Sequence, residues 1–317
     1  MRVIGLLINL DKDKARLSKA GAEVSKFQIP FGRVPGVDGP RLTDEEMADI
    51  AAPLCKKICT RSMIGCAASH IRAWETLLQS QADAALVCED DILVSADAPR
   101  TLRTALRHVP PDFHILYGGC FHCHPDGKRT LFGSLFQLLT AGRVGLPRTE
   151  VVTDDLYVPH LAIGTHCYVV SRSGAIELLR RFKGNVQYHL DVQINLHFKD
   201  LKVFAIREPV AHQSHELSSN TVQSHPVLLN SIATHFKEGG VPGNHIMTAP
   251  AGQVGGCVLN NWLLFCVITS FFAPTMVVIV FALAVTVPDL YLRTFSGQWH
   301  FPVTMCFSHL MGRYLRK

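Results

Sequence analysis

Ala84-Ala85-Leu86-Val87-Cys88-Glu89-Asp90-Asp91-Ile92 decides the reading of this chain, because an apolar run there delivers three consecutive carboxylates at its end. A short apolar run of this kind reads as a strand, and its alternation with amphipathic stretches argues an α/β sheet. Such sheets bind ligands at the carboxyl ends of their strands. Alternate side chains of a strand share a face, so Glu89 and Asp91 are expected to point together and Asp90 the other way. Carboxylate oxygens in that place suit Mg²⁺ or Mn²⁺, whose shell a substrate diphosphate can complete. Three acids alone also suit a solvated turn or a helix N-cap, so the surrounding sequence must arbitrate.

Outward from this run, strand-like and amphipathic stretches alternate. Val3 to Leu10, Phe113 to Tyr117, His166 to Ser171 and Lys202 to Ile206 read as strands, and Ile71 to Gln79, Pro99 to His108 and Ser173 to Phe182 read as helices. This order predicts an α/β domain with a mainly parallel central sheet. Thr130 to Val158 lacks periodicity and reads as an insertion or active-site loop.

The chain of 317 residues is 48% hydrophobic, and the apolar excess sits near the C-terminus. Its net charge of +5 carries no dense Lys/Arg block, which argues against a nucleic-acid partner. Ten cysteines include the close pairs Cys55/Cys59 and Cys120/Cys123, the latter lacking a second pair at zinc-finger spacing, and a reducing compartment is favoured. The opening apolar run is soon followed by Asp11 and Lys12 and reads as a first strand rather than a secretory signal.

No Asp, Glu, Lys or Arg lies between Glu238 and Asp289, and Trp262 to Val287 is almost continuously apolar. That length predicts a single C-terminal transmembrane helix and hence membrane localisation, although Pro274 near its middle can kink it or turn a re-entrant hairpin. The expected division is a catalytic domain over 1–237, a linker over 238–261, the span over 262–287 and a tail over 288–317. Arg293, Arg313, Arg316 and Lys317 follow the span and place the tail in the cytosol, which puts the first domain in a lumen. The absence of an N-terminal signal argues the reverse, and the cytosolic side is preferred here.

Several other residues are suited to chemistry. Asn9 and Asp11 close the first strand, and Arg16 follows within reach of a phosphate. Asp38 lies in the Gly/Pro turn of Phe31-Gly32-Arg33-Val34-Pro35-Gly36-Val37-Asp38-Gly39. Gly65-Cys66-Ala67-Ala68-Ser69-His70 enters a helix whose first turn can receive an anion, with Ser69 and His70 as donors, or Trp74 and His70 simply pack.

These pieces, in this order, resemble glycosyltransferase family 25, the lipooligosaccharide-biosynthesis and procollagen galactosyltransferase group. The marks are Ile8-Asn9-Leu10-Asp11, Arg33 to Gly39, Gly65-Cys66 with Ser69-His70 and Trp74, and Glu89-Asp90-Asp91. Gly164-Thr165-His166-Cys167-Tyr168-Val169-Val170-Ser171 with Gly174-Ala175, Asp191, and Pro209-Val210-Ala211-His212-Gln213-Ser214 follow, so the resemblance runs from about Val3 to Asn220. It implies a GT-A-like nucleotide-sugar-binding fold, a UDP-sugar donor, Mn²⁺ (or Mg²⁺) and an inverting transfer of a hexose, galactose among the candidates. The acceptor would be a hydroxyl on a glycan, a glycolipid or a protein.

An inverting transfer needs a base for the acceptor hydroxyl and no covalent nucleophile. Asp191 is the first candidate and Asp90 the second. Glu89, Asp91 and His212 are the candidate metal ligands, and Asn9, Arg16, Asp38, Ser69 and His70 the candidate donor contacts. Where the resemblance leads one to expect an acidic residue before Gly65-Cys66, this chain has Met63-Ile64. That departure supports one alternative, a membrane-attached binding module that has lost turnover.

Overall fold

The computed structural model describes residues 1–123, 125–126 and 149–214, and beyond them 228–229, 235, 237–238, 241–242, 247, 250–254, 257–291 and 300–316. The chain divides into two compact units, Met1–Ser218 and Ser219–Lys317. Most of Thr130 to Val158 lies outside the described residues.

In the first unit the described strands form an eight-stranded sheet. Its members are β1 (Val3–Asn9), β2 (Phe31–Pro35), β3 (Ala84–Glu89), β5 (Ile115–Phe121), β6 (Glu150–Val151), β7 (Leu156–Val158), β8 (Ile163–Ser171) and β9 (Val203–Ile206), in the spatial order β2-β1-β3-β8-β5-β9-β7-β6. The expectation of a mainly parallel sheet is corrected. β1/β2, β1/β3 and β5/β9 pair parallel, whereas β3/β8, β5/β8, β7/β9 and β6/β7 pair antiparallel. The reason is that β8 enters between β3 and β5 running against both, so the sheet is mixed.

β3 shows why its sequence lacks alternation. Ala85 and Val87 pack with α4 (Arg61–Gln79), α6 (Arg172–Phe182) and α7 (Leu190–Leu196) on one face. Ala84, Leu86 and Cys88 pack with α1 (Lys14–Ser25) and α5 (Ala98–His108) on the other. All five residues are fully buried, and burial of a Leu or Val of this kind contributes roughly 1.5–3 kcal/mol each. Two short helices, α2 (Asp44–Ile50) and α3 (Pro53–Ile58), precede α4.

The long α4 is fixed at both ends. The Thr60 hydroxyl accepts the Met63 N–H at 3.2 Å, and the Met63 sulfur accepts the Thr60 N–H at 3.4 Å. This is a capping box with a thioether where a Glu side chain is the usual partner. At the other end the Arg172 guanidinium donates to the carbonyls of Leu77 and Leu78 in the last turn and of Ser80 and Ala82 just beyond it. Gly65 lets the 36–39 turn sit directly on this helix, since a Cβ there would lie 2.6 Å from the Gly39 nitrogen and 2.7 Å from the Val37 oxygen. Two glycines from separate motifs are therefore one backbone contact.

The sulfurs of Cys55 and Cys59, and of Cys120 and Cys123, are paired as disulfides, against the expectation of a reducing compartment.

The second unit corrects the transmembrane and membrane-localisation expectation. Its apolar run is divided between α8 (Asn261–Phe272) and α9 (Thr275–Tyr291), followed by α10 (His300–Leu315). Among the described residues no helix is long and apolar enough to cross a membrane. Pro274 has no N–H to continue the ladder, and Ala273 before it is extended, with φ −72° and ψ 153°. The 17 residues of α9 rise only about 25 Å, against roughly 30 Å of hydrocarbon. Instead Trp262, Leu263, Cys266, Val285, Phe301 and Met305 join one buried cluster. Within Gly239 to Gly256, read as linker, Pro250–Val254 pairs antiparallel with the following Cys257–Asn260.

Candidate active site

β1 and β3 lie side by side and parallel, with Ile8 opposite Glu89, so both strands deliver their last residues to the same edge of the sheet. β3 ends at Glu89, and Asp90 and Asp91 form a turn before β4 (Ile92–Val94). The alternation expected to separate Asp90 from Asp91 stops where the strand stops. Arg16 of α1 pairs with Asp90 and lies 3.5 Å from Asp91 Oδ2, bridging the two.

Each acid has a different environment. Asp90 accepts from Asn9 Nδ2 at 2.6 Å as well as from Arg16, and Asn9 is itself held by Arg33 Nε at 3.2 Å. Asp91 is buried and accepts from Gln213 Nε2 on Oδ2 at 3.0 Å, while Oδ1 has no hydrogen-bond partner among the described residues. Burial, and then the charge of Glu89, push the Asp91 carboxyl up to about 7. Glu89 accepts from Thr165 at 2.8 Å and from His70 Nε2 at 3.3 Å, both on Oε1. Burial raises its pKa, but the His70 and Thr165 contacts outweigh that and hold it below the ordinary range.

Gln213 reaches Asp91 through β10 (Ala211–Gln213), which pairs antiparallel with β4. The backbone N–H of Ser214 also donates to the Asp91 carbonyl. His212 is opposite Leu93 in this ladder and is exposed, on the other face from Gln213.

A cleft of about 260 Å³, lined by none of the three acids, opens at the ends of β1 and β2. Asp11, Lys12, Asp38, Arg41, Glu46 and Arg72 supply its charge. Asp38 pairs with Lys12 at 2.9 Å and Arg41 at 3.3 Å. Ser69 is buried beneath, accepting the Val37 N–H at 2.8 Å and donating to the Gly65 carbonyl at 2.7 Å, so it shapes the turn that carries Asp38.

Asp191 opens α7. Its Oδ2 accepts the Gly164 N–H at 2.9 Å and its Oδ1 the Val192 N–H at 2.7 Å. It shares a neighbourhood with Glu89, since Gly164, which donates to Asp191, adjoins Thr165, which donates to Glu89.

The structure thus brings together Asn9, Arg16, Asp90 and Asp91, joins His70 to Glu89, and sets Asp38 over Ser69. It leaves His212 outside these groups. Thr165, Tyr168, Gln213, Lys12, Arg41 and Arg72 were not singled out by sequence reasoning. Thr165, Tyr168 and Gln213 lay inside the quoted family blocks, but nothing in local periodicity marks which block residues meet the acids.

A divalent cation can be tested against these donors. Among the described residues no group of three or more His, Cys, Asp or Glu is placed to hold a metal. Asp91 Oδ1, buried and without a partner, does fit a cation that takes one or two carboxylates and completes its shell with diphosphate and water.

Among solved structures, the crystal structure of A197 from STIV matches at a TM-score of 0.34 and 10% identity, over 71% of this chain and 100% of that one; a likeness at this level carries no argument. Two relatives are each named Glycosyltransferase 25 family member. The one from Aedes aegypti is 32% identical over 184 residues, 55% of this chain and 27% of that protein. The one from Anopheles gambiae is 31% identical over 94 residues, 27% of this chain and 16% of that protein. The chain therefore spans about a quarter or less of the length of these relatives. Residues 4–194 match Glycosyltransferase family 25 (LPS biosynthesis protein), a stretch that holds β1, β3, the acidic turn and Asp191. This chain belongs to glycosyltransferase family 25.

Proposed function

We propose that this chain transfers a hexose, galactose first among the candidates, from a UDP-sugar to a hydroxyl of a glycan, glycolipid or protein with inversion at the sugar carbon. The observation that carries this reading is the buried Asp91 carboxyl, which lies 3.5 Å from Arg16 and has one oxygen that no described residue fills. Strand ends are where an α/β sheet binds its ligand, and Lys12, Arg41 and Arg72 supply cations for a diphosphate.

In this reading Asp91, with Glu89 as second carboxylate, would hold Mn²⁺ or Mg²⁺, which would supply charge stabilisation for the departing nucleoside diphosphate. Arg16 neutralises the same edge and, with Asn9, partly offsets the burial that raises the Asp90 carboxyl. Asp191 is the base that takes the acceptor proton, its carboxylate oriented by two backbone N–H groups, and Asp90 is the second candidate. Met63 gives the inactive-module alternative less support than it has in the sequence, because the residue at this position caps α4 and its sulfur performs that contact.

A donor screen with the purified chain, with and without Mn²⁺, tests the reading, with mass and anomeric configuration of the product as readout. Metal-dependent release of UDP and an inverted product are expected. Absence of turnover with every UDP-sugar, alongside retained UDP binding, would replace it with the binding module.

A further inference from the structure

Beneath Glu89 lies a run of buried polar groups that the transfer itself does not require. Trp74 Nε1 is 2.9 Å from the Tyr168 hydroxyl, that hydroxyl is 2.9 Å from His70 Nδ1, and His70 Nε2 is 3.3 Å from Glu89 Oε1. Trp74, Tyr168 and His70 are each at most 1% exposed, so water does not substitute for any of these partners.

The donor inventory permits the run a single continuous direction. Indole N–H only donates, so the Tyr168 oxygen accepts from Trp74 and its single proton is free for another acceptor. The acceptor within reach is His70 Nδ1. A neutral imidazole that accepts at Nδ1 carries its proton at Nε2, and that N–H then donates to the Glu89 carboxylate. The Thr165 hydroxyl donates to the same oxygen at 2.8 Å. Both bonds fall on Oε1, and Oε2 accepts none among the described residues.

We propose that Tyr168 is a positioning residue that locks His70 in the Nε2–H tautomer and thereby holds Glu89 by one oxygen, leaving the other for the donor complex. The arrangement parallels the outer contacts that orient metal-binding groups, with the aromatic pair Trp74–Tyr168 as its rigid base. It rests on the reading of Glu89 as part of the donor site. The hydrogen-bond direction, however, is independent of turnover.

Two-bond ¹H–¹⁵N spectra of the full chain labelled in histidine, assigned through His70→Gln, read the tautomer directly. The Nε2–H form is expected in the wild type, and a mixture of tautomers or the Nδ1–H form in Tyr168→Phe. With UDP-galactose and Mn²⁺, Tyr168→Phe should lose about tenfold in kcat with donor KM within about twofold. Thr165→Val should show a similar kcat loss with the His70 tautomer unchanged. An Nδ1–H tautomer in the wild type overturns the proposal, as does Tyr168→Phe with wild-type tautomer and wild-type kcat. If the wild type turns over no donor, the proposed function fails, and the tautomer of His70 in wild type and Tyr168→Phe still decides this inference.

Discussion

The turn after β3 and the first turn of α7 each present an aspartate to the same neighbourhood, yet the two carboxylates are treated differently. Asp191 has both oxygens filled by backbone N–H groups, from Gly164 and Val192. Asp91 is more deeply buried, shares one oxygen with Gln213 and leaves the other without a partner. An unsatisfied buried acceptor costs about 1–3 kcal/mol, a cost that a bound ligand can offset. The difference teaches that Asp191 is completed by the fold, whereas Asp91 keeps one oxygen that no described residue fills.

Asp91→Ala breaks this comparison most severely. Mn²⁺-dependent transfer should fall by about a hundredfold or more, the scale of a lost electrostatic stabiliser, while the circular dichroism spectrum stays that of the folded wild type. Equal activity in the variant would remove Asp91 from the site.

Asp191→Asn sharpens it, because the amide keeps one acceptor for backbone N–H but cannot take a proton. Loss of about a hundredfold in kcat with only about 1 kcal/mol of stability is expected for the base. A stability loss with kcat within about tenfold would make Asp191 a tie between β8 and α7 and pass the role to Asp90.

The pH dependence of folding separates the two acids without any substrate. The Asp91 carboxyl at about 7 lies above the unfolded value, so the native chain holds a proton that the unfolded chain has released. Its stabilising contribution is full below about pH 4 and is lost as pH rises through 7. Urea unfolding should therefore show a decline across this window that Asp91→Asn removes, and Mn²⁺ should recover stability above pH 7. A wild-type slope in Asp91→Asn would mean that another group titrates there.

The smallest effect concerns the frame. Thr60→Ala removes the side-chain acceptor at the start of α4 and should cost about 1 kcal/mol by denaturant unfolding, with donor KM unchanged. A change in KM would tie the cap to the donor site.

Much of the site was legible because its parts are local. The burial of β3 follows from an apolar run without alternation, and the acids follow it in the chain. Asn9 and Arg16 stand at the end of one strand and the start of the next helix, where an α/β unit places its ligand contacts. The break at Pro274 was also visible as a kink, but the unbroken hydropathy around it suggested a span, and only the extended Ala273 ends the helix there. The antiparallel entry of β8 was not legible, because strand direction depends on which strand it pairs with.

What the sequence by itself determined is the α/β class, the family and the delivery of three carboxylates at a strand end, all properties of residues within a few positions of one another or of motif order. Tertiary structure alone decided which carboxylate keeps an unfilled oxygen. That outcome depends on Arg16, Gln213 and Thr165, between 74 and 122 residues away from the acids they meet. It also turned the opening expectation about faces, since the strand ends at Glu89 and the two aspartates that alternation would have separated are bridged by one guanidinium. Hydrogen bonds between distant segments carry no period along the chain, so no pattern in the sequence announces them.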